Sequence, residues 1–438
     1  LNITSTQILK AGDEDEIDIR YEGIPADGLI ISKNKYGHRT FFSDNWPNRA
    51  HNWLPCVDNP ADKASVEFLI TAPIHYRVIS NGEQIEETNL SNSTKLTHWK
   101  EDVPLPTKIM VIGAADFAVN LAGIVNCIPV YSWVYPENRD KGFYDYAIAT
   151  DILSWYIKNI GPYPYKKLAN VQSKTIFGGM ENASAIFYSE DSIDGKRTSE
   201  ALMAHEIAHQ WFGDMATEKN FAHLWLSEGF ATYMTILYME NKYGKDTATK
   251  MLKEDRLQVI AFSKNTDMPV VDTLTTDYMQ LLNANSYEKG AWVLHMLRRQ
   301  LGDSVFWKSI REYYVAYAGK NAGTDDLRKT FEQVSGKNLR QFFQQWLFTA
   351  GQPQLDVKWK YIAKEKKIAL TIYQKQKNSF HFPLEIQVQG ASGKSILQVL
   401  NITKQTETFT IFVKENTLKV YLDPTISLLY EGSILKTE

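Results

Sequence analysis

The period of the hydrophobic pattern changes twice along this chain, and those two changes restrict its fold more than any other feature. Up to about residue 120 apolar and polar residues alternate, as in Ile17-Asp18-Ile19-Arg20-Tyr21 and Val66-Glu67-Phe68-Leu69-Ile70, with turn signals such as Asn81-Gly82 between the runs. A period of two sets one face of a strand against a core and the other in water. From about 140 to 350 the spacing becomes three and four, the repeat of an amphipathic helix. Helices are predicted over 144–160, 199–212, 223–243, 247–262, 287–301, 325–334 and 339–349, the first ending at Gly161-Pro162 and the last at Gly351-Gln352-Pro353. After Pro353 alternation returns, with Leu355, Val357, Trp359 and Tyr361 on one face and Ile368, Leu370 and Ile372 repeating the pattern.

The expected architecture is α+β and multidomain: an N-terminal antiparallel β domain over 1–120, a mostly helical domain over 121–351 and a small β-sandwich over 352–438. A chain of 438 residues exceeds one ordinary core, in keeping with several domains. It opens on Leu1-Asn2-Ile3-Thr4, already strand-like. The most apolar stretch, Ile109 to Tyr135, is interrupted by Asp116, Asn120, Asn126 and Pro129, which predicts buried strands rather than an integral membrane segment. A formal net charge of −3 leaves no basic surplus for a phosphate backbone, so no nucleic-acid partner is expected. The only cysteines, Cys56 and Cys127, exclude a disulfide scaffold and a cysteine-built metal cage, and a disulfide between them is not expected.

The chemistry concentrates at His205-Glu206-Ile207-Ala208-His209. Histidines four apart on a helix share a face about one turn apart, so both imidazoles reach one ion. Imidazole nitrogen suits zinc, and a catalytic zinc keeps three protein ligands with one position left for water. Glu228, polar inside the apolar helical pattern Trp225-Leu226-Ser227-Glu228-Gly229-Phe230, is the candidate third ligand. The eighteen residues between His209 and Glu228 suffice for a helix end, a loop and a return onto a neighbouring helix. Glu206 then lies beside the ion without being needed as a ligand, the position of a general base.

Preceded by Gly178-Gly179-Met180-Glu181-Asn182, with Glu181 24 residues before His205, this set resembles the gluzincin aminopeptidases, relatives of aminopeptidase N and leukotriene hydrolase. The phrases His209-Gln210-Trp211-Phe212-Gly213, Leu224-Trp225-Leu226-Ser227-Glu228-Gly229-Phe230-Ala231 and Leu54-Pro55-Cys56-Val57-Asp58-Asn59-Pro60 carry the likeness over almost the whole chain. The resemblance implies a thermolysin-like catalytic domain, one zinc ion per chain and peptide substrates with a free N-terminus. It implies that Glu181 binds the substrate α-amino group and that the Gly178, Gly179 and Met180 backbone forms a strand edge pairing with the peptide. Asn182 would orient that loop or touch the substrate. Tyr287, in Ser286-Tyr287-Glu288-Lys289-Gly290, matches the family tyrosine whose hydroxyl donates to the tetrahedral oxyanion.

Asp44 stands twelve positions before Cys56, where the family commonly places a Gln that helps hold the substrate amine. It is read either as a second partner of the ammonium or as an ordinary turn residue of Ser43-Asp44-Asn45-Trp46-Pro47. Family N-terminal domains are longer, so the first several strands are expected to be missing, and the large helical C-terminal domain of many members has no counterpart. Gly179 is shared with leukotriene hydrolases, which makes a bifunctional epoxide hydrolase and aminopeptidase one alternative. Against it, Met279 occupies the place of the Asp used in that second activity, eight residues before the tyrosine. A non-catalytic peptide-binding protein on the same fold is another alternative, but the three ligands, the base and the tyrosine are all in place. A zinc endopeptidase is a third, separable by its action on N-acetylated peptides. By analogy with compact exported members, the expected compartment is the periplasm or outside the cell, with the cytoplasm as the alternative; the oligomeric state is not legible.

Overall fold

A computed structural model describes residue 8 and residues 10–437 of the chain; the strand-like opening Leu1–Thr4 lies outside the described residues. The chain divides into two units, one formed by 1–150 with 164–200, the other by 151–163 with 201–438.

The first unit is built on sheets. Leu29–Lys33, Arg39–Ser43, Ile112–Ala115 and Arg77–Ser80 pair in that order, and Thr94–Pro106 lies between Lys63–Pro73 and Glu83–Asn89 in a second antiparallel sheet. The alternating Val66–Ile70 falls inside Lys63–Pro73. Asn81-Gly82 makes the turn expected of it: Gly82 has φ +72, and a Cβ there would stand 1.8 Å from the Lys100 carbonyl oxygen. Ile17–Tyr21, by contrast, forms no strand and leaves Ile17 and Tyr21 exposed. Alternation describes the two faces of a strand, but a strand also needs a neighbour for its backbone groups, and this segment pairs with none among the described residues.

A five-stranded sheet follows, in the order Gly179–Met180, Ala185–Tyr188, Leu168–Gln172, Ile128–Val134, Ala118–Val125. Leu168–Gln172 runs parallel to both neighbours, and Gly179–Met180 is an antiparallel edge. The boundary expected between residues 120 and 121 therefore needs correction. It would cut Ala118–Val125, which is zipped to Ile128–Val134 from Ala118↔Val134 to Val125↔Ile128. A hydrogen-bonded hairpin, not a linker, occupies that position, and the strands expected between Ile109 and Tyr135 are the reason.

The helices are α1 (Arg139–Tyr146), α2 (Ala149–Asn159), α3 (Glu200–His209), α4 (Trp225–Tyr243), α5 (Lys245–Ser263), α6 (Gly290–Leu301), α7 (Asp303–Tyr317), α8 (Thr324–Ser335) and α9 (Arg340–Leu347). The single helix predicted over 144–160 is thus two, interrupted at Ala147-Ile148. In the second unit the helices meet over an aromatic core, with Phe230 stacked on Phe212 at 4.4 Å and on Tyr313 at 5.7 Å, and Phe306 edge-on to Tyr233 and Phe331. No helix among the described residues is long and apolar enough to cross a membrane. Cys56 and Cys127 are both free.

The helical part ends at Leu347, and the first strand of the sandwich begins at Gln354. Gln354–Ile362, Lys367–Gln374, Thr406–Phe412 and Glu431–Lys436 form one sheet; Phe382–Gly390, Ser395–Ile402 and Thr417–Leu422 form the other. Leu355, Val357, Trp359, Ile368, Leu370 and Ile372 of the first sheet and Leu384, Ile386 and Val388 of the second are buried. Arg256 of α5 latches the sandwich to the helices. It donates to Asp423 Oδ2 at 2.7 Å and to the Leu428 carbonyl at 2.6 Å, with Trp292 and Tyr430 rings 4.8 and 4.9 Å from its guanidinium carbon.

Candidate active site

His205 and His209 project from one face of α3, their Nε2 atoms 3.0 Å apart. Beyond His209 the chain must reverse, and Gly213 makes this possible at φ +116, where a Cβ would strike Ser227 Oγ at 2.2 Å. Thr217–Glu218 then pairs with Asn321–Ala322, and the chain enters α4 with Glu228 in its first turn. Glu228 Oε2 lies 3.2 Å from His205 Nε2 and 3.3 Å from His209 Nε2. Bonds of about 2.0–2.1 Å to a tetrahedral ion separate neighbouring ligand atoms by about 3.3 Å, so this triangle fits a divalent metal as it stands. Burial by itself raises the Glu228 pKa, but the imidazoles of His209 and His205 more than reverse that and hold the carboxyl well below the usual carboxylate range. A cation at that centre has the same effect.

The orientation of His209 is fixed from behind. Its Nδ1 is 3.1 Å from the Phe212 carbonyl oxygen and 3.0 Å from Ser227 Oγ. A carbonyl only accepts, so Nδ1 carries the proton and donates it, and Nε2 is the nitrogen with a lone pair to offer a metal ion. Glu206 follows His205 on α3, turned about 100° around the helix, and is buried. Tyr287 brings its ring parallel to the His205 imidazole, with centroids 5.9 Å apart and 15° between planes. It does not open a helix as predicted. Asn285–Lys289 is a π turn ahead of α6, closed by the Lys289 N–H donating to the Ala284 carbonyl at 2.8 Å. Gly229 and Gly290 let α4, which carries Glu228, and this turn touch through backbone, a Cβ on Gly229 falling 2.8 Å from Gly290 Cα.

The remaining predicted residues belong to the first unit. Gly179–Met180 is an edge strand whose register is Gly179↔Tyr188 and Met180↔Phe187, so its outer side has no strand neighbour among the described residues. Gly178 precedes it, its carbonyl accepting from the Ser189 N–H at 2.9 Å. Glu181 and Asn182 are buried. The turn after them is held by Asn81, whose amide donates to the Ala183 carbonyl at 2.7 Å, and by Ser184 Oγ, which accepts from Gly82 N–H at 2.8 Å and from Lys167 Nζ at 3.2 Å.

Asp44 fits neither of its expected readings. It is wholly buried, with Oδ1 accepting from Arg49 at 2.8 Å and Oδ2 from Thr175 Oγ1 and Ile176 N–H, both at 3.0 Å. Burial pushes its pKa up against the pull of Arg49 and these donors. The carboxylate anchors the segment leading into Gly178–Asn182, and a reach to a substrate ammonium would require breaking those contacts. Asp44→Ala leaves Arg49 with only Asp27 as a carboxylate partner and the Thr175 hydroxyl and Ile176 N–H without their acceptor, and is expected to destabilise the protein by about 1–3 kcal/mol, read as a lowered urea midpoint.

Sequence reasoning did not single out Ser227, Gly213, Gly229 or Gly290, although each sits in or beside a quoted phrase. What they do depends on which backbones meet, and spacing along one chain carries no such signal.

Residues 144–346 match the peptidase family M1 domain and residues 1–109 the peptidase M1 N-terminal domain. Aminopeptidase M1-C of Oryza sativa subsp. japonica is 31% identical over 332 residues, 71% of this chain and 37% of the relative. Probable aminopeptidase 2 of Sulfurisphaera tokodaii is 27% identical over 429 residues, 93% of this chain and 54% of the relative. Aminopeptidase A of Legionella pneumophila, in its crystal structure with aspartic acid, has the same fold at a TM-score of 0.81 and 18% identity, over 93% of this chain and 48% of that one. The chain thus spans about half, or less, of the length of the relatives it matches.

Proposed function

The chain belongs to peptidase family M1, and on that premise we propose that it is a zinc aminopeptidase, removing single residues from peptides with a free N-terminus. The observation that carries this reading is the triangle of His205, His209 and Glu228, with the Tyr287 ring set against His205. His205, His209 and Glu228 would hold one zinc ion, the two imidazoles through Nε2 and Glu228 through its carboxylate. When bound, zinc supplies a Lewis acid that polarises the scissile carbonyl and makes water nucleophilic near neutral pH.

The chain's own groups do the rest. Glu206 takes the proton from the attacking water and delivers it to the departing amine. The Tyr287 hydroxyl donates to the oxygen on which negative charge develops, an interaction strongest in the transition state. Glu181 pairs with the substrate α-ammonium, as the family resemblance implies, and so sets an exopeptidase register. The free edge of Gly179–Met180, continuing from Gly178, suits strand addition by the peptide backbone. Asn182 keeps this loop in shape. Asp44 is assigned a supporting role through Thr175 and Ile176 rather than substrate contact.

Aminoacyl p-nitroanilides should be hydrolysed, and a chelator should abolish turnover until zinc is restored. N-acetylation of a peptide substrate should reduce kcat/KM by at least about tenfold, since the buried Glu181 then loses its cationic partner. Equal cleavage of acetylated and free peptides would replace this reading with that of an endopeptidase.

A further inference from the structure

We propose that Lys289 is a positioning residue for Tyr287, fixing the π turn from one side while Asn285 fixes it from the other. The inference rests on the aminopeptidase reading and concerns how the oxyanion donor is held.

Lys289 is fully buried, in the turn that carries Tyr287. Its ammonium donates to the Gly351 carbonyl at 2.7 Å. Burial lowers its pKa to about 7, and no neighbouring charge contributes to the shift. An amine there carries a desolvation cost that a methionine of similar length would avoid. What the amine provides is the bond to Gly351, in the connection between α9 and the first strand of the sandwich.

Asn285 makes the matching contact two residues before Tyr287. It is buried, and its amide donates to the Met268 carbonyl at 2.8 Å and the Pro269 carbonyl at 3.3 Å. The two anchoring segments are themselves joined, because Val271 N–H donates to the Leu347 carbonyl at 2.9 Å. Tyr287 is therefore the middle residue of a turn pinned at both ends to one hydrogen-bonded bracket. A π turn is wider and less regular than an α turn, so external pins decide where its central side chain lies. A hydroxyl that must meet an oxyanion tolerates little displacement, and about 1 Å costs up to about 100-fold.

The test is a double-mutant cycle on the full chain loaded with zinc, using an aminoacyl p-nitroanilide. Lys289→Met keeps the volume and removes the donor. It should lower kcat between about 10- and 100-fold with KM within about twofold and zinc content unchanged. In a Tyr287→Phe background, where there is no hydroxyl to aim, the same substitution should change the residual kcat by less than about twofold. An unchanged kcat for Lys289→Met alone overturns the proposal. So does an equal loss in both backgrounds, which is the signature of a residue that only supports the fold. If Lys289→Met does not fold, Asn285→Ala carries the same cycle with the same expected outcomes. An inactive parent protein, or a Tyr287→Phe variant as fast as the parent, defeats the functional reading itself and is seen before the cycle begins.

Discussion

Glu206→Gln is expected to bind zinc as the parent does and to lose about 10²–10⁴-fold in kcat, with KM little changed. Gln fills the same space and keeps a carbonyl oxygen, but it cannot take a proton from water near neutral pH. On the proposed reading the metal does not depend on it. The three atoms at mutual distances of 3.0–3.3 Å come from His205, His209 and Glu228, and the His209 ring is fixed independently by the Phe212 carbonyl and Ser227. The loss should therefore lie in the chemical step alone, visible as a low kcat at full metal occupancy by elemental analysis. A Gln variant that turns over normally removes Glu206 from the role of base. One that arrives without zinc makes it a ligand instead.

The contrast between what could and could not be read from the sequence follows from the range of each interaction. His205 and His209 are related by one helical turn, so their convergence is a local fact and was legible. Glu228 was legible because a lone carboxylate in an apolar helical run needs a partner. The β–α–β order was legible for the same local reason. Two of the fold-level departures involve a second segment. Ile17–Tyr21 has the right alternation but nothing to pair with, and Ala118–Val125 is drawn across the supposed boundary by its hairpin partner. Helix α7 was passed over altogether, although its buried Phe306, Ile310, Tyr313 and Tyr314 follow the three- and four-residue spacing. Asp44 reads from the sequence as an ammonium partner or a turn residue because Arg49, Thr175 and Ile176 meet only in the folded unit. The π turn at Asn285–Lys289 is set by carbonyls of Met268 and Gly351, which no pattern within five residues encodes.

Gly229→Ala is expected to destabilise the protein and to lower kcat by on the order of 100-fold, although local propensity gives the opposite sign for stability. In an exposed helix interior this change would be favourable by about 1 kcal/mol. Here the new methyl would stand 2.8 Å from Gly290 Cα, 2.9 Å from the Gly290 carbonyl carbon and 3.2 Å from the Ser286 carbonyl oxygen. All three are backbone atoms, so no side-chain rotation relieves the contact. Carbon atoms in ordinary contact are about 3.5–4.0 Å apart, which means α4 and the start of α6 must separate by roughly 1 Å. Overpacking of this kind costs about 1–3 kcal/mol, enough to outweigh the gain in helix propensity. The separation also falls between the two halves of the chemistry, since Glu228 immediately precedes Gly229 and Tyr287 lies three residues before Gly290. Moving one backbone from the other shifts Tyr287, the proposed oxyanion donor, relative to Glu228, the proposed metal ligand, so kcat should fall further than zinc affinity. Urea denaturation and steady-state kinetics on the same preparation separate these effects. A variant with an unshifted urea midpoint and parental kcat would mean that this backbone contact yields to a methyl without moving the site.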